Sequence, residues 1–217
     1  MGIRAVVSAT VLAASIGLVG VVVLSGCSTD PAGSNAAADP ADPVALLESF
    51  GIAAPVAAGP DPAGSGPADA AAIVEVLDAL PVAERPADLS TSITATELRL
   101  QPDTPDEASI ALTGDRFYLS VAPYREQTHP CTFHSPTSCL GELRGAPVEI
   151  RVTDAASGEV VLERSTETAD NGFVGLWLPR DGEYSVEVVA DGDRGVQTVR
   201  TGDGDPTCIT TLRLTSA

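Results

Sequence analysis

The chain has 217 residues and a strongly acidic composition, with 12 basic residues, all arginine, against 30 Asp and Glu. A surface of this sign repels phosphate backbones and gives no basic attraction to anionic lipids, which argues against nucleic acid as a partner. The length allows one domain or two small ones.

The N-terminus has the pattern of an exported, lipid-anchored protein. Arg4 gives a positive start, residues 5–24 carry no charge, and Leu24-Ser-Gly-Cys27 resembles the lipobox of bacterial lipoproteins. This pattern predicts a signal peptide over residues 1–26 and a lipid on Cys27. The mature protein would then sit in the cell envelope, on the outer face of the plasma membrane. The alternative is an uncleaved span, since about 20 apolar residues can cross a bilayer.

The next segments are predicted to be weakly structured or helical. Residues 27–42 lack large apolar side chains and should form a disordered tether. Residues 43–106 are expected to form a small helical region that contains a loose Ala/Gly/Pro-rich stretch at 53–66.

Three local patterns support helices in this region. Residues 42–50 form a short candidate helix with Pro43 in its first turn. Residues 69–80 repeat apolar side chains at helical spacing, with Asp69 as a cap and a proline directly after the last residue. Thr94-Ala-Thr-Glu97 matches the capping-box pattern and predicts a brief helical turn.

From residue 107 the apolar period changes to two, which indicates strands. Turn sequences rich in Gly, Asp and Pro separate them, without helices between. Residues 107–217 are therefore expected to form an antiparallel β-sandwich or barrel-like domain, and the fold class is mainly β with short N-terminal helices. The predicted strands are 109–112, 116–121, 148–153, 160–163, 173–178, 184–189, 196–200 and 208–214.

The chemistry of the chain is concentrated in one short run. The only two histidines, His129 and His134, lie with Cys131 and Cys139 inside eleven residues, and Cys208 lies in the last predicted strand. Thiolate and imidazole ligands suit Cu(I) and Zn(II), and suit Mg²⁺ or Ca²⁺ poorly. Two prolines interrupt the run, so we expect a loop rather than a strand. If the last strand abuts this loop, the residues form a soft metal site.

The number of cysteines leaves at least one thiol without a disulfide partner. With Cys27 lipidated, three cysteines remain in an oxidising compartment, where structural disulfides use pairs. A plain Cys131–Cys139 disulfide is the alternative to a metal site. On the chain-entropy estimate, closing so short a loop would stabilise the fold by about 2.5 kcal/mol. The protein would then be a disulfide-stabilised β-sandwich interaction module without metal.

Five segments resemble the CueP family of periplasmic copper-binding proteins: Phe117–Tyr124, Gln127–Leu143, Pro147–Asp154, Asn171–Arg180 and Thr207–Leu214. The resemblance covers roughly residues 69–214. It implies an envelope protein that binds copper and supports copper tolerance or copper delivery.

Carried over residue by residue, the resemblance implies the metal ligands Cys131, Cys139 and Cys208 beside His134, with His129 as a further candidate. Copper is the expected metal, as Cu(I) with Cu(II) as its oxidised form, and zinc is the second choice. The lipobox and the stretch at 53–66 depart from the family pattern.

No side-chain arrangement indicates catalysis. The sequence has no serine-nucleophile motif, no phosphate-binding glycine loop and only two histidines. We therefore predict no catalytic residues and no enzyme activity beyond stoichiometric reduction of Cu(II) by the thiols. The partners to be considered are the membrane through Cys27, a second copy in a homodimer, and a copper-donating or copper-accepting protein.

Overall fold

The computed structural model describes residues 41–57 and 68–216, and every structural statement below concerns these residues. The predicted signal peptide and Cys27 lie outside them, as do most of the predicted tether and most of the loose stretch at 53–66. Among the described helices, none is long and apolar enough to cross a membrane.

The protein is mostly β, with two short α-helices at the N-terminal side, as predicted. The helices are α1 (Pro43–Ser49) and α2 (Ala70–Asp78), followed by a 3₁₀ turn at Val82–Glu84. The strands are β1 (Thr91–Ile93), β2 (Glu97–Leu100), β3 (Ala108–Ala111), β4 (Arg116–Val121), β5 (Pro147–Asp154), β6 (Val160–Glu167), β7 (Val174–Pro179), β8 (Glu183–Ala190), β9 (Asp193–Arg200), β10 (Cys208–Ile209) and β11 (Thr215–Ser216).

Both helices begin where their capping residues predict. The Asp42 carboxylate accepts the N–H of Val44 at 3.0 Å, and the Asp69 carboxylate accepts the N–H of Ala72 at 3.1 Å. Each bond satisfies one of the free N–H groups at a helix start. The apolar face of α2 buries Ile73 and Leu77 completely, as the spacing predicted, and buries Val74, which the spacing did not include.

The predicted helical turn at Thr94 is wrong, because this segment joins two strands. The Thr94 hydroxyl does accept the N–H of Glu97, at 3.1 Å, but the bond closes a turn between β1 and β2. In both strands every second residue is buried, which is the period of a strand. Pairing with β3 then favours the hairpin over a helix, so β structure begins at Thr91 and not near residue 107.

The strands form three sheets, ordered β1-β2-β3, β10-β4-β7 and β11-β9-β8-β5-β6. Most neighbours are antiparallel, but β10 runs parallel to β4 and pairs Cys208 with Ser120. The predicted last strand, 208–214, is interrupted: β10 ends at Ile209 and β11 starts at Thr215. The described strands form a sandwich-like arrangement and no closed barrel.

Two apolar cores fill the sandwich, and a third small cluster adjoins them. The largest joins Phe117, Leu119 and Leu176 of one sheet with Ile150 and Val186 of the five-stranded sheet. The second lies under the helices and includes α2 and the β1-β2-β3 sheet. The smallest holds two buried cysteines with Ala122 and Phe173, and Cys131 packs against it.

Candidate metal centre

The loop between β4 and β5 carries the cluster, and backbone bonds dock it onto the segment before β10. The carbonyl oxygen of Thr132 accepts the N–H groups of Thr207 and Cys208 at 3.0 and 3.2 Å. The N–H of His134 donates to the Thr207 hydroxyl at 3.1 Å, and its carbonyl accepts the N–H of Ile93 at 2.7 Å. The bonds to Thr207 and Cys208 place the loop against a segment more than 70 residues further along the chain, and the bond to Ile93 joins it to β1.

The structure brings three sulfurs and an imidazole together. Cys131 and Cys208 are joined in a disulfide, with their Cα atoms 5.7 Å apart. The Cys139 Sγ lies 3.6 Å from the Cys131 Sγ, and the His134 Nδ1 lies 3.8 Å from the Cys208 Sγ. The candidate ligand atoms of His134, Cys139 and Cys208 all lie within 4.8 Å of one another.

The disulfide differs from the alternative that the sequence suggested. Cys131 pairs with Cys208, and Cys139 is the free, buried thiol of the described chain. The reason is that the N–H groups of Thr207 and Cys208 bond to the carbonyl of Thr132, which brings Cys208 to a Cα separation from Cys131 that suits a disulfide. The spacing of the loop cysteines could not show this.

A buried carboxylate orients His134. The His134 side chain is fully buried, and its Nε2 lies 2.8 Å from the Asp78 Oδ1 at the end of α2. Asp78 also accepts the Tyr118 hydroxyl and, at 3.0 Å, the Asn171 amide. The carboxylate holds Nε2, so Nδ1 faces the sulfurs. This is the arrangement by which outer residues fix a metal-binding imidazole.

The same contacts shift the pKa values of the pair. Burial lowers the pKa of His134, but its hydrogen bonds to Asp78 and Cys139 outweigh burial and raise that pKa to about 9. Burial raises the pKa of Asp78, yet the hydrogen bond and positive charge of His134 leave it below its ordinary value. The imidazolium and the carboxylate therefore stabilise each other's charged form.

The surroundings of Cys139 lower the pKa of its thiol. Burial raises the pKa of this thiol, but the hydrogen bond and charge of His134 exceed that effect and lower the pKa overall. The N–H of Ser135 points at the Cys139 Sγ at 3.4 Å, and Arg85 donates to the Cys139 carbonyl at 2.9 Å. The site thus favours the thiolate more than an ordinary cysteine environment does, and the thiolate is the form that binds metals.

His129 lies on the outer side of the cluster. A ring nitrogen of His129 lies within 4.8 Å of the sulfurs of Cys131 and Cys139. The ring is half-buried and packs edge-on against Phe173, with 6.3 Å between the ring centroids. Cys139 is thus shared by two groups of candidate ligands, one with His129 and Cys131 and the other with His134 and Cys208. Their donors, sulfur and imidazole nitrogen, suit copper.

The sequence prediction missed Asp78, Tyr118 and Asn171. Asp78 did leave a signal, because it follows Val74 by four residues and so occupies the apolar face of α2. A carboxylate on a buried face needs a partner, and here it has three. Asn171 opens the segment Asn171–Arg180 that carries part of the family resemblance, but its sequence pattern, Asp-Asn-Gly, is that of a turn and gave no sign of a buried partner for a carboxylate.

The protein combines a sandwich-like β fold with cysteine and histidine side chains that meet at one loop. Such a protein is a candidate for binding a soft metal ion. The family described as periplasmic copper-binding protein CueP matches residues 72–213. A solved structure described as the crystal structure of S.CueP is 36% identical, with a TM-score of 0.67. The match covers 82% of this chain and 100% of that one. A search of curated proteins gave no significant match.

The chain therefore belongs to the CueP family of periplasmic copper-binding proteins. The resemblance inferred from its motifs is confirmed, and the family's periplasmic description agrees with the predicted cell envelope.

Proposed function

We propose that this protein holds copper, as Cu(I), with the thiolates of Cys131, Cys139 and Cys208 and the imidazole of His134. One observation carries the proposal: sulfurs from distant parts of the chain meet beside a buried, carboxylate-bound imidazole. Cu(I) prefers such soft donors in small number. Family membership supports copper over zinc.

The disulfide links this site to redox chemistry. Cys131 and Cys208 bind as thiolates only when their bond is reduced. When these two thiolates close into the disulfide they release two electrons, which can reduce two Cu(II) ions to Cu(I). The reaction is stoichiometric and consumes the thiols, so we assign no catalytic residue. Holding Cu(I) in the reduced site would support copper tolerance or delivery to an acceptor protein.

A Cu(I) titration tests the proposal. We expect the reduced protein without residues 1–27 to bind about one equivalent of Cu(I) against a competing chelator. Cys131→Ser, Cys139→Ser and Cys208→Ser should each weaken binding by orders of magnitude, because each removes one sulfur. Thr132→Ala is the matched control, since its side chain is exposed in the same loop. Wild-type affinity in the cysteine variants would refute the proposal.

The bonded Cys131–Cys208 pair favours a second candidate, an interaction module in which the disulfide is purely structural. Non-reducing mass spectrometry of protein purified from the envelope separates the two. A complete disulfide, followed by no copper uptake after gentle reduction, would favour the module.

We further propose that a lipid on Cys27 anchors the protein at the outer face of the plasma membrane. The support is the lipobox-like sequence before Cys27. Cys27→Ala should abolish labelling with a radioactive fatty acid and move the protein out of the membrane fraction. Cys139→Ser is the control and should stay lipidated. A labelled, membrane-bound Cys27→Ala variant would contradict the anchor.

A further inference from the structure

A cavity opens between the edge strands of two sheets. β6 is an edge strand of the five-stranded sheet, and β7 is an edge strand of the β10-β4-β7 sheet. Both strands and the last turn of α2 line a cavity of about 370 Å³. Cavities that hold small molecules typically measure about 300–1,000 Å³, so this one has room for a small ligand.

The free edge of β7 presents its backbone to this cavity. Gly175 lies opposite Ser120 of β4, but the N–H of Ser120 donates to the Thr207 carbonyl, on the side of β10, at 2.8 Å. In an antiparallel pair this means that the N–H and carbonyl groups of Gly175, and those of Trp177 two residues on, point away from β4. Both residues line the cavity, so the strand edge offers it backbone N–H donors.

Two arginines place their guanidinium groups on this edge. Arg116 donates to the Trp177 carbonyl, and Arg164 of β6 donates to the Gly175 carbonyl, each at 2.8 Å. Most other arginines of the described chain pair with carboxylates, whereas these two do not, although the net charge of the sequence is -18. A guanidinium has five N–H donors, so each arginine retains donors for a carboxylate ligand.

Carboxylates line the same cavity without pairing with these arginines. Glu75 lies on the exposed side of α2 and Glu167 at the end of β6, and neither forms an ion pair within the part of the chain that the structure describes. The Asp78 carboxylate also borders the cavity, but three hydrogen bonds already occupy it. Trp177 and Phe173 add aromatic surface. The cavity therefore holds separated charges of both signs beside aromatic rings.

We propose that this cavity binds an α-amino acid with an aromatic side chain. The guanidinium groups of Arg116 and Arg164 and the free N–H groups of β7 bind its carboxylate. Glu75 or Glu167 binds its ammonium group, and its ring packs on Trp177. A ligand with both charges satisfies both kinds of group, whereas the carboxylates repel a simple anion and the arginines repel a simple cation. The site involves no cysteine and is independent of the proposed copper binding.

Trp177 is the only tryptophan in the sequence, so the fluorescence of the protein reports directly on this cavity. The full chain, purified in detergent without copper, is titrated with L-phenylalanine, and calorimetry measures the same binding independently. We expect a saturable change in both signals. Two analogues that each lack one charge, 3-phenylpropionate and 2-phenylethylamine, should bind about 10-fold more weakly or worse, since each leaves charged groups of the cavity unpaired.

Arg164 and Arg151 provide a matched pair of variants. Arg164→Gln should weaken the binding of L-phenylalanine by about 10-fold or more, because it removes a charged donor to the ligand carboxylate. Arg151→Gln removes the same charge from the neighbouring strand β5, where Arg151 pairs with Glu163 outside the cavity, and should change the affinity by less than about twofold. Both arginines are exposed, so both variants are expected to fold.

The double variant Glu75→Gln, Glu167→Gln tests the other half of the site. It should weaken the binding of L-phenylalanine but not that of 3-phenylpropionate, which has no ammonium group. Three results would overturn the inference: neither a fluorescence change nor heat with L-phenylalanine, equal affinity in Arg164→Gln and Arg151→Gln, or equal affinity of the wild type for L-phenylalanine and 3-phenylpropionate.

Discussion

His134 lies between two kinds of partner, a carboxylate on one ring nitrogen and sulfurs near the other. Because Asp78 sits on α2 and Cys208 on β10, the imidazole links elements that lie far apart in sequence. The orientation of a single ring thus depends on a helix, a loop and a strand, and a metal bound at Nδ1 would depend on all three.

Asp78 should control the titration of His134. In the metal-free protein, NMR of the ring should show His134 with a pKa of about 9, and Asp78→Asn should lower it because burial then dominates. The folded pKa of His134 lies above the ordinary 6.5, so the stability from its protonated ring is fully present below pH 6.5 and is lost as pH rises through about 9. The pKa of Asp78 is lowered, so the stability from its carboxylate is lost only when the pH falls through that folded pKa.

The control for this titration is Glu75→Gln, which removes an exposed carboxylate from the same helix. It should leave the pKa of His134 where it is in the wild type. A His134 pKa that is equal in the wild type and in Asp78→Asn would show that the carboxylate does not set the charge of the ring.

Gly141 supports the site by close backbone packing. A Cβ at this position would lie 2.7 Å from the Gly172 carbonyl oxygen and 3.1 Å from the Ala122 Cβ. We expect Gly141→Ala to lower the free energy of unfolding in urea by about 1–3 kcal/mol, because the backbone must move apart. Gly204→Ala meets nothing within 4 Å and should change little. Equal losses in the two variants would argue against tight packing as the cause.

At the scale of elements, the hairpin β1-β2 shows how a correct local signal can belong to another structure. Thr94 makes the hydrogen bond that a capping box would make, yet it closes a β-turn. Leu98 and Leu100 are buried on one face of β2, and β3 supplies the next strand. The local bond is the same in both structures, so only the paired strand distinguishes them.

Arg180 ties the β1-β2-β3 sheet to the turn after β7. Its guanidinium donates to the carbonyls of Ala95 and Leu112 at 2.6 and 3.2 Å, and it pairs with Asp203 at 3.2 Å. Its side chain is only 14% exposed, so loss of the cation would leave sheltered carbonyls unpaired. We expect Arg180→Ala to lower the free energy of unfolding by about 1.5–3 kcal/mol in urea denaturation.

The matched control is Arg200→Ala. Arg200 pairs with Glu183 at 3.0 Å, but its side chain is 71% exposed, and such pairs contribute about 0–1 kcal/mol. If both variants lose the same stability, the link between the sheets is weaker than the geometry suggests.

At the scale of the whole molecule, the Cys131–Cys208 disulfide closes a long loop with a sequence separation of 77. Cross-linking residues this far apart lowers the entropy of the unfolded chain. On the chain-entropy estimate this raises the free energy of unfolding by about 4.5 kcal/mol. The segment between the two cysteines includes every strand from β5 to β9. Reduction of the disulfide should therefore destabilise the entire sandwich and not only the loop between β4 and β5.

Urea denaturation with and without reductant tests this estimate. We expect reduction to lower the free energy of unfolding by about 4.5 kcal/mol. Cu(I) at about 1,000 times its Kd should raise the free energy of unfolding of the reduced protein by about 4 kcal/mol, since it binds only the folded state. Cys139→Ser should keep the effect of reductant and lose the rescue by Cu(I). If reductant leaves the midpoint unchanged, the disulfide does not contribute to the stability of the sandwich.

The sequence by itself determined the local structure and the chemistry. Alternating apolar residues predicted most strands, and capping residues and apolar spacing predicted both helices, because these signals act over a few residues. The position of both histidines and two cysteines in one Pro-interrupted run showed where soft donors gather. Its motifs also indicated the family.

Only the tertiary structure decided which cysteine pairs with Cys131 and what holds His134. Cys208 is held against the loop by its backbone bond to Thr132, and Asp78 reaches His134 from a helix that precedes the sandwich. Contacts between such distant segments depend on how sheets and helices pack, and local periodicity carries no information about that packing. The donors could be predicted from the sequence, whereas their pairing and orientation could not.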